Sequence, residues 1–537
     1  MSWSATRSEA RIRKSLQTVP KNIVQVQLFD DRYSQLKVRA LASSDSSDPK
    51  PLVQIPPSHA VVVDGVHVYV QLTGYHSVLQ DVQRQTEARH RRALQFLHTH
   101  YSACDLIIRE YDAQRVDFHG PRLHAVIVTP PGPANERRRV ERALEFAQAI
   151  ARMVEATGET VLNGEFKTET RIGIDTGRSI AVNSGRGAEP EPLFLGSPAN
   201  YAAKLADGTE PGIYLSDRAR QVVGMLAAGS LFDQRRQIYN LRHGGVSTAG
   251  TLGPSYITDA RIKSLSADVE RDLEVIFRQA NFIFHRHTPP LRTIEYERLS
   301  PANSIHMPLV SIFADIDGFT KYVDYCLATN QIPELVSNLH AIRLELAAVL
   351  KHDFDGRKVR FIGDCLHGLV AEGTAYETDG RETVRRSVIC AAAMRSSFNL
   401  CRTILPGIAN LGIAIGIELG PTPITRLGIR GEFSVRCATS KAVSDSEELQ
   451  AGCEGDQTAL GSRAFGAASL DVQHLFDATT RRARDLDYAD ASERLSLDSS
   501  RAAALAAPAA IGTSAGWTTR AAASEGAIQN SGGNRHA

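Results

Sequence analysis

No two of the seven cysteines stand at CxxC spacing, no apolar run reaches the eighteen or so residues of a membrane span, and neither sign of charge prevails. Each absence excludes something. Cys104, Cys326, Cys365, Cys390, Cys401, Cys437 and Cys453 read as reduced, mostly buried thiols, neither a zinc knuckle nor a disulfide frame. Met1 to Lys21 mix polar and basic side chains without a central apolar stretch, so a cytoplasmic protein is expected, with neither a secretory signal nor a membrane anchor. A formal net charge of +1 gives no reason to expect nucleic acid or a membrane surface as partner. Basic clusters such as Arg137-Arg138-Arg139 and Arg481-Arg482 read as solvated helix faces.

What is present is an ordinary globular composition, 42% hydrophobic and 23% charged over 537 residues, enough for two or three domains with their own cores. The most informative stretches are Phe313-Ala314-Asp315-Ile316-Asp317-Gly318-Phe319-Thr320 and Phe361-Ile362-Gly363-Asp364-Cys365. Each is an apolar run ending in a carboxylate beside a glycine. Alone, each is more often a hairpin turn. Together they supply two hard oxygen ligands, Asp315 and Asp364, with Gly318 and Gly363 allowing backbone to approach phosphate oxygens. Two carboxylates are the minimum for a two-metal phosphoryl-transfer site. Between them, Glu334 to Lys351 places Leu335, Leu339, Ile342, Leu346, Val349 and Leu350 at helical spacing, so strand, helix and returning hairpin bring the carboxylates side by side.

These residues resemble the catalytic domain of class III nucleotide cyclases, the adenylate and guanylate cyclase family. Asp315 to Thr320 match its Asp-Ile-x-Gly-Phe-Thr metal motif, Asp364 its second metal aspartate after Ile-Gly, and Ile415-Gly416-Ile417-Glu418-Leu419-Gly420 its Ile-Gly-Ile-x-x-Gly element. The resemblance implies two divalent cations, Mg²⁺ or Mn²⁺, on Asp315, Ile316 and Asp364, with Gly318, Phe319 and Thr320 against phosphate. Arg430, in Leu427-Gly428-Ile429-Arg430, resembles a family arginine that grips the outer phosphates.

The N-terminal half repeats the pattern in order. His119-Gly120-Pro121-Arg122-Leu123-His124 parallels Ile362 to His367, and Ile172-Gly173-Ile174-Asp175-Thr176-Gly177 parallels Ile415 to Gly420; 363 − 120 and 416 − 173 both give 243. Val61-Val62-Val63-Asp64-Gly65 is read as the counterpart of Ala314 to Gly318. On that register Val62 and Pro121 replace Asp315 and Asp364, so the first copy has no metal ligands. It retains Gly196-Ser197-Pro198-Ala199-Asn200-Tyr201-Ala202-Ala203-Lys204-Leu205, similar to the family's Gly-x-x-Val-Asn-x-Ala-x-Arg element. Asn200 and Lys204, four apart, share a helix face. The resemblance assigns Asn200 to the ribose and Lys204, in place of arginine, to transition-state charge; lysine keeps the charge without the two-pronged geometry. In the second copy Ser444 and Glu448 occupy those positions. The halves are therefore complementary, which implies one competent composite site, formed within the chain or in a homodimer, and one degenerate site that is either a regulatory pocket or a filled relic.

The expected fold is α+β: two tandem cyclase domains of ferredoxin-like βαββαβ type forming a pseudo-heterodimer. The boundaries are an extension at 1–54 with a strand around Ile23 to Phe29, a degenerate domain at 55–260, a linker helix and loop at 261–300, a metal-binding domain at 301–475 and a disordered Ala/Ser-rich tail at 492–537. Gly244-Gly245 marks a hairpin-like end.

The family's base-reading positions hold Asp117 and Leu193 in the first copy, and Arg360 and Cys437 in the second. Asp117 only accepts hydrogen bonds, which suits uracil N3 or cytosine N4, and Arg115, two residues away on the same strand, is placed to donate to a pyrimidine carbonyl. The lost purine reader and Arg360 before the second metal aspartate look like the bacterial pyrimidine cyclases of antiphage defence (Pycsar), whose cyclic nucleotide acts on a separate effector. That resemblance implies UTP first, then CTP, with ATP or GTP as further alternatives. A catalytically dead nucleotide-binding scaffold is the reading from another class; the complementary retention of Asp315 and Asp364 in one copy and Asn200 and Lys204 in the other argues against it.

Overall fold

The computed structural model describes residues 2–42, 52, 55–56, 58–80, 86–183, 192–239, 257–274, 276, 282–428 and 434–495. The expected Gly244-Gly245 hairpin and the tail beyond 495 lie outside them. Residues 1–495 form one compact unit.

That unit contains two sheets, one per sequence copy. In the first lobe the order is Gln114–His119, Arg122–Ile127, His59–Leu72, Thr170–Asn183, Pro192–Leu195. Gln25–Leu28 adds in parallel to His59–Leu72, and Gly212–Leu215 to Thr170–Asn183. The second lobe repeats the first four as Arg357–Ile362, Cys365–Val370, Ser304–Asp317 and Gly412–Leu427, beside which lie antiparallel Val435–Ala438 and parallel Gln457–Leu460, the latter followed by Arg482–Arg484. Each central strand is buried along nearly all its length, as a strand covered on both faces must be. The helix expected over Glu334 to Lys351 runs Ile332–Ala348 and ends in a π-turn at Val349–Asp353.

The register locates one error in the sequence reading. Leu123 pairs with Val70 as Leu366 pairs with Ala314, and Arg171 with Gln71 as Ala414 with Asp315. The counterpart of Asp315 is therefore Gln71, not Val62, and Val70-Gln71-Leu72-Thr73-Gly74-Tyr75 answers to Ala314-Asp315-Ile316-Asp317-Gly318-Phe319. Asp64-Gly65 imitates the motif in composition, but both residues sit inside the long central strand. The loss of the metal carboxylate stands on the corrected register.

The lobes share their cores. Val62, Ile180, Leu193 and Leu195 of the first lobe pack in one cluster with Ile312, Ala314, Ile316 and Phe319 of the second. Leu427 and Cys437 of the second join the core around Val66, Val68 and Val70. Six of the seven cysteines are buried and all are free thiols. The helix near the junction runs Asp259–Glu274 and buries Ile262, Leu265 and Val269 in the first lobe's core. No described helix is long and apolar enough to cross a membrane.

Sequence reading missed the helix Ala5–Thr18, capped by Ser4, which packs on Ile332–Ala348 and on Gly380–Ile404 of the second lobe. Arg11 pairs with Glu345 at 2.6 Å and Asp353 at 2.9 Å, both carboxylates being essentially inaccessible. Ser8 Oγ donates to Glu345 at 2.7 Å, and Trp3 Nε1 to Ser397 at 2.7 Å. Removing Arg11 leaves two buried anions short of a partner, so Arg11→Ala is expected to cost about 3 kcal/mol. A clear drop in the urea midpoint checks this; an unchanged midpoint refutes it.

Candidate functional site

Asp315 lies two residues from the end of the central strand Ser304–Asp317, and Asp364 in the turn between Arg357–Ile362 and Cys365–Val370, which pairs with that strand. The backbone N–H of Ile316 bonds both carboxylates. Burial, then the neighbouring charge of Asp317, pushes Asp315 up to about 6. Burial, then the charge of Asp315, raises Asp364 well above the usual carboxylate range. The two half-buried carboxylates resist ionising together, and a divalent cation held between them would remove that cost. Among the described residues no group of three or more His, Cys, Asp or Glu side chains could hold a metal. Two carboxylates and a backbone oxygen suit a hard cation that takes its remaining ligands from water and substrate phosphates.

Gly318, at φ +80°, turns the chain from the strand into the helix Phe319–Ala328. A side chain there would be strained, and the turn opens the N-terminus of a helix, whose unpaired N–H groups favour an anion.

Asn200 and Lys204 sit on the helix Ser197–Ala206 of the other lobe. That helix lies hard against the sheet because Gly173 has no side chain: a Cβ there would fall 2.1 Å from Ala202 O, as one at Gly416 would from Ser446 O. Ala202 and Ser446 are therefore equivalent, which independently sets Asn200 against Ser444 and Lys204 against Glu448. Asn200 Nδ2 donates to Thr320 Oγ1 at 2.6 Å, and the Ser197 N–H donates to Asp324 at 3.0 Å. A residue of one copy thus touches the Gly318-Phe319-Thr320 turn of the other within a single chain. Lys204 is exposed one turn further on.

The base-reading candidates divide. Arg360, nearly buried, donates to both Asp117 and the carbonyl of Phe118 across the lobe interface. Asp117 Oδ2 is buried without a protein partner. Leu193, 6% exposed, forms apolar wall in the shared core. Arg115 does not share a face with Asp117: a bulge shifts the register so that Arg115 pairs with Ala125 and Asp117 with His124, on opposite faces. Its guanidinium is engaged instead with both oxygens of Asp105 at 2.7 Å. Period-two reasoning fails wherever a strand carries an extra residue. Arg430 lies outside the described residues.

Sequence reading overlooked Arg343, which donates to the Gly363 carbonyl, stacks on Phe361 at 4.4 Å and lowers the cost of a charge on Asp364. The signal was available: an arginine interrupts the apolar face that carries Leu339, Ile342 and Leu346.

No protein-family model matches the chain. It is 51% identical over 484 residues to the uridylate cyclase of a Rhizobium species, covering 89% of this chain and 92% of that protein. It is 40% identical over 454 residues to the uridylate cyclase of Pseudomonas aeruginosa, covering 83% and 86%. Among solved structures, a class III adenylyl cyclase-like ATP-binding protein from Pseudomonas aeruginosa superimposes with a TM-score of 0.77 at 36% identity, covering 92% of this chain and all of that one.

Proposed function

Because the chain belongs to the uridylate cyclases, within the class III nucleotide cyclases, we propose that it converts UTP to 3′,5′-cyclic UMP and pyrophosphate at a composite site between its two lobes. The hydrogen bond from Asn200 to Thr320 carries the reading, since it joins the two complementary half-sites inside one chain. The 3′-hydroxyl attacks the α-phosphorus in line, the bond to the β-phosphate oxygen breaks, and pyrophosphate leaves. Two divalent cations on Asp315, Asp364 and the carbonyl of Ile316 would neutralise the triphosphate and acidify the 3′-hydroxyl. Asn200 orients the ribose, and Lys204 balances charge that grows on the reacting phosphoryl group. Gly318, Phe319 and Thr320 cradle the phosphates, and Arg430 is assigned the outer phosphates on the family resemblance alone. Most of the rate comes from positioning and charge neutralisation, which fits a site without a dedicated general base.

Base choice rests on Asp117 and Arg360. Uracil offers an N3–H between two carbonyls, matching the unpartnered Asp117 Oδ2 beside the Arg360 guanidinium. Cytosine presents a bare N3 to the same carboxylate. Asp117→Asn is expected to lower kcat/KM for UTP by about 10–100-fold and move the UTP-to-CTP ratio toward CTP, because a buried polar partner would be mismatched. An unchanged ratio would remove Asp117 from base reading.

The decisive assay incubates the purified protein with UTP, CTP, ATP and GTP together with Mn²⁺ and identifies the cyclic product. Cyclic UMP is expected. ATP belongs in the mixture because the structural neighbour is described as ATP-binding, and turnover of ATP alone refutes the pyrimidine reading. The product would then act on a separate effector in antiphage defence.

A further inference from the structure

The lobes' pseudo-symmetry generates a second composite site, and its chemistry is inverted. Gln71 stands where Asp315 stands, Pro121 where Asp364 stands, and the residue after Pro121 is Arg122, the counterpart of Cys365. Facing them is the second lobe's helix Lys441–Ala451, counterpart of the helix that carries Asn200. Arg122 Nε donates to Gln71 Oε1 at 3.0 Å, and its Nη1 to Glu447 Oε1 at 2.6 Å. His119 Nε2 lies 3.3 Å from Glu447 Oε2. Burial, which alone would raise Glu447, is outweighed by His119 and Arg122, so this carboxylate lies well below its usual range. Tyr75, at the position of Phe319, closes the neighbouring edge through a 2.5 Å hydrogen bond to Thr439 of the other lobe.

We propose that Arg122 is a built-in cation standing in for the metals of this second site, where it excludes nucleotide and ties the lobes together through Glu447. The guanidinium is held on one side by the residue at the metal-ligand position and on the other by a carboxylate from the opposite lobe. An incoming triphosphate meets Glu447 and the exposed Glu448, with no carboxylate pair to bring a metal. The metal-ligand positions are taken by Gln71, Pro121 and the half-exposed Arg122 guanidinium, in contrast to a regulatory nucleotide site. The inference rests on the composite-site reading above, and the experiment separates the two.

The full chain is titrated calorimetrically with α,β-methylene-UTP and Mn²⁺. One analogue per chain is expected, lost in Asp315→Ala and retained in Arg122→Met. Two analogues per chain, or a binding event lost in Arg122→Met and kept in Asp315→Ala, overturns the proposal. If no analogue binds, the composite-site reading fails, and a double-mutant cycle then decides the role of Arg122. Arg122→Met and Glu447→Gln are each expected to raise the unfolding constant about fivefold, with the double variant well short of the product of the two. Multiplicative effects would show that Arg122 and Glu447 are not coupled, and would sink the tie between lobes.

Discussion

Asp315→Ala is expected to reduce kcat at least about 10³-fold, roughly 4 kcal/mol of transition-state stabilisation. The carboxylate is one of only two acidic side chains in the donor set, so its removal takes the site below what a divalent cation needs. A catalytically dead scaffold would bind its ligand as before, whereas the cyclase reading requires loss of turnover. A second readout avoids confusion with misfolding. Asp315 is pushed up to about 6 by burial and Asp317, and Asp364 is also raised. In the metal-free protein these groups hold protons more tightly folded than unfolded, so their contribution to stability is present at low pH and is lost as pH rises through about 6. A bound cation reverses that preference by favouring the ionised pair. The thermal shift produced by Mn²⁺ should therefore be large at pH 7.5, small at pH 5.5 and absent at both in Asp315→Asn. A pH-independent shift, or one that survives in Asp315→Asn, would place the cation elsewhere.

Asn200→Ala should lower kcat by about 10²–10³-fold while leaving the Mn²⁺ thermal shift of the wild type intact, because it removes a positioned donor without touching a metal ligand. Lys204→Ala is expected to act in the same direction through loss of the charge opposite the reacting phosphoryl group. This separation, metal response kept and chemistry lost, is what a site built from two unlike lobes demands. If Asn200→Ala changes kcat less than threefold, the contact between Asn200 and Thr320 is structural and the composite site loses its first-lobe half.

Much of this was legible because the informative signals are local. Asp315 to Thr320 and Gly363-Asp364 announce a strand end and a turn, and the helix between them follows from apolar spacing. Asn200 and Lys204 stood out at helical spacing, and Gly173 and Gly416 fixed the repeat because close packing of helix on strand allows no Cβ. The failures also have physical causes. Asp64-Gly65 imitated the motif in composition, and only strand pairing showed that the counterpart lies further along at Gln71. Arg115 was displaced from the face of Asp117 by a bulge, which leaves no mark in residue type.

The amino-acid sequence by itself determined the class of chemistry, the two-copy plan and the division of the two carboxylates from the Asn/Lys pair, because motif, turn and helical period are properties of neighbours along the chain. Tertiary structure alone decided that the halves meet within one chain, that Arg360 reaches Asp117, that the N-terminal helix anchors on Glu345 and Asp353, and that Arg122 reaches Glu447 of the other lobe. Those pairings join residues up to hundreds of positions apart, and their partners are selected by strand register and lobe docking, which no local pattern encodes.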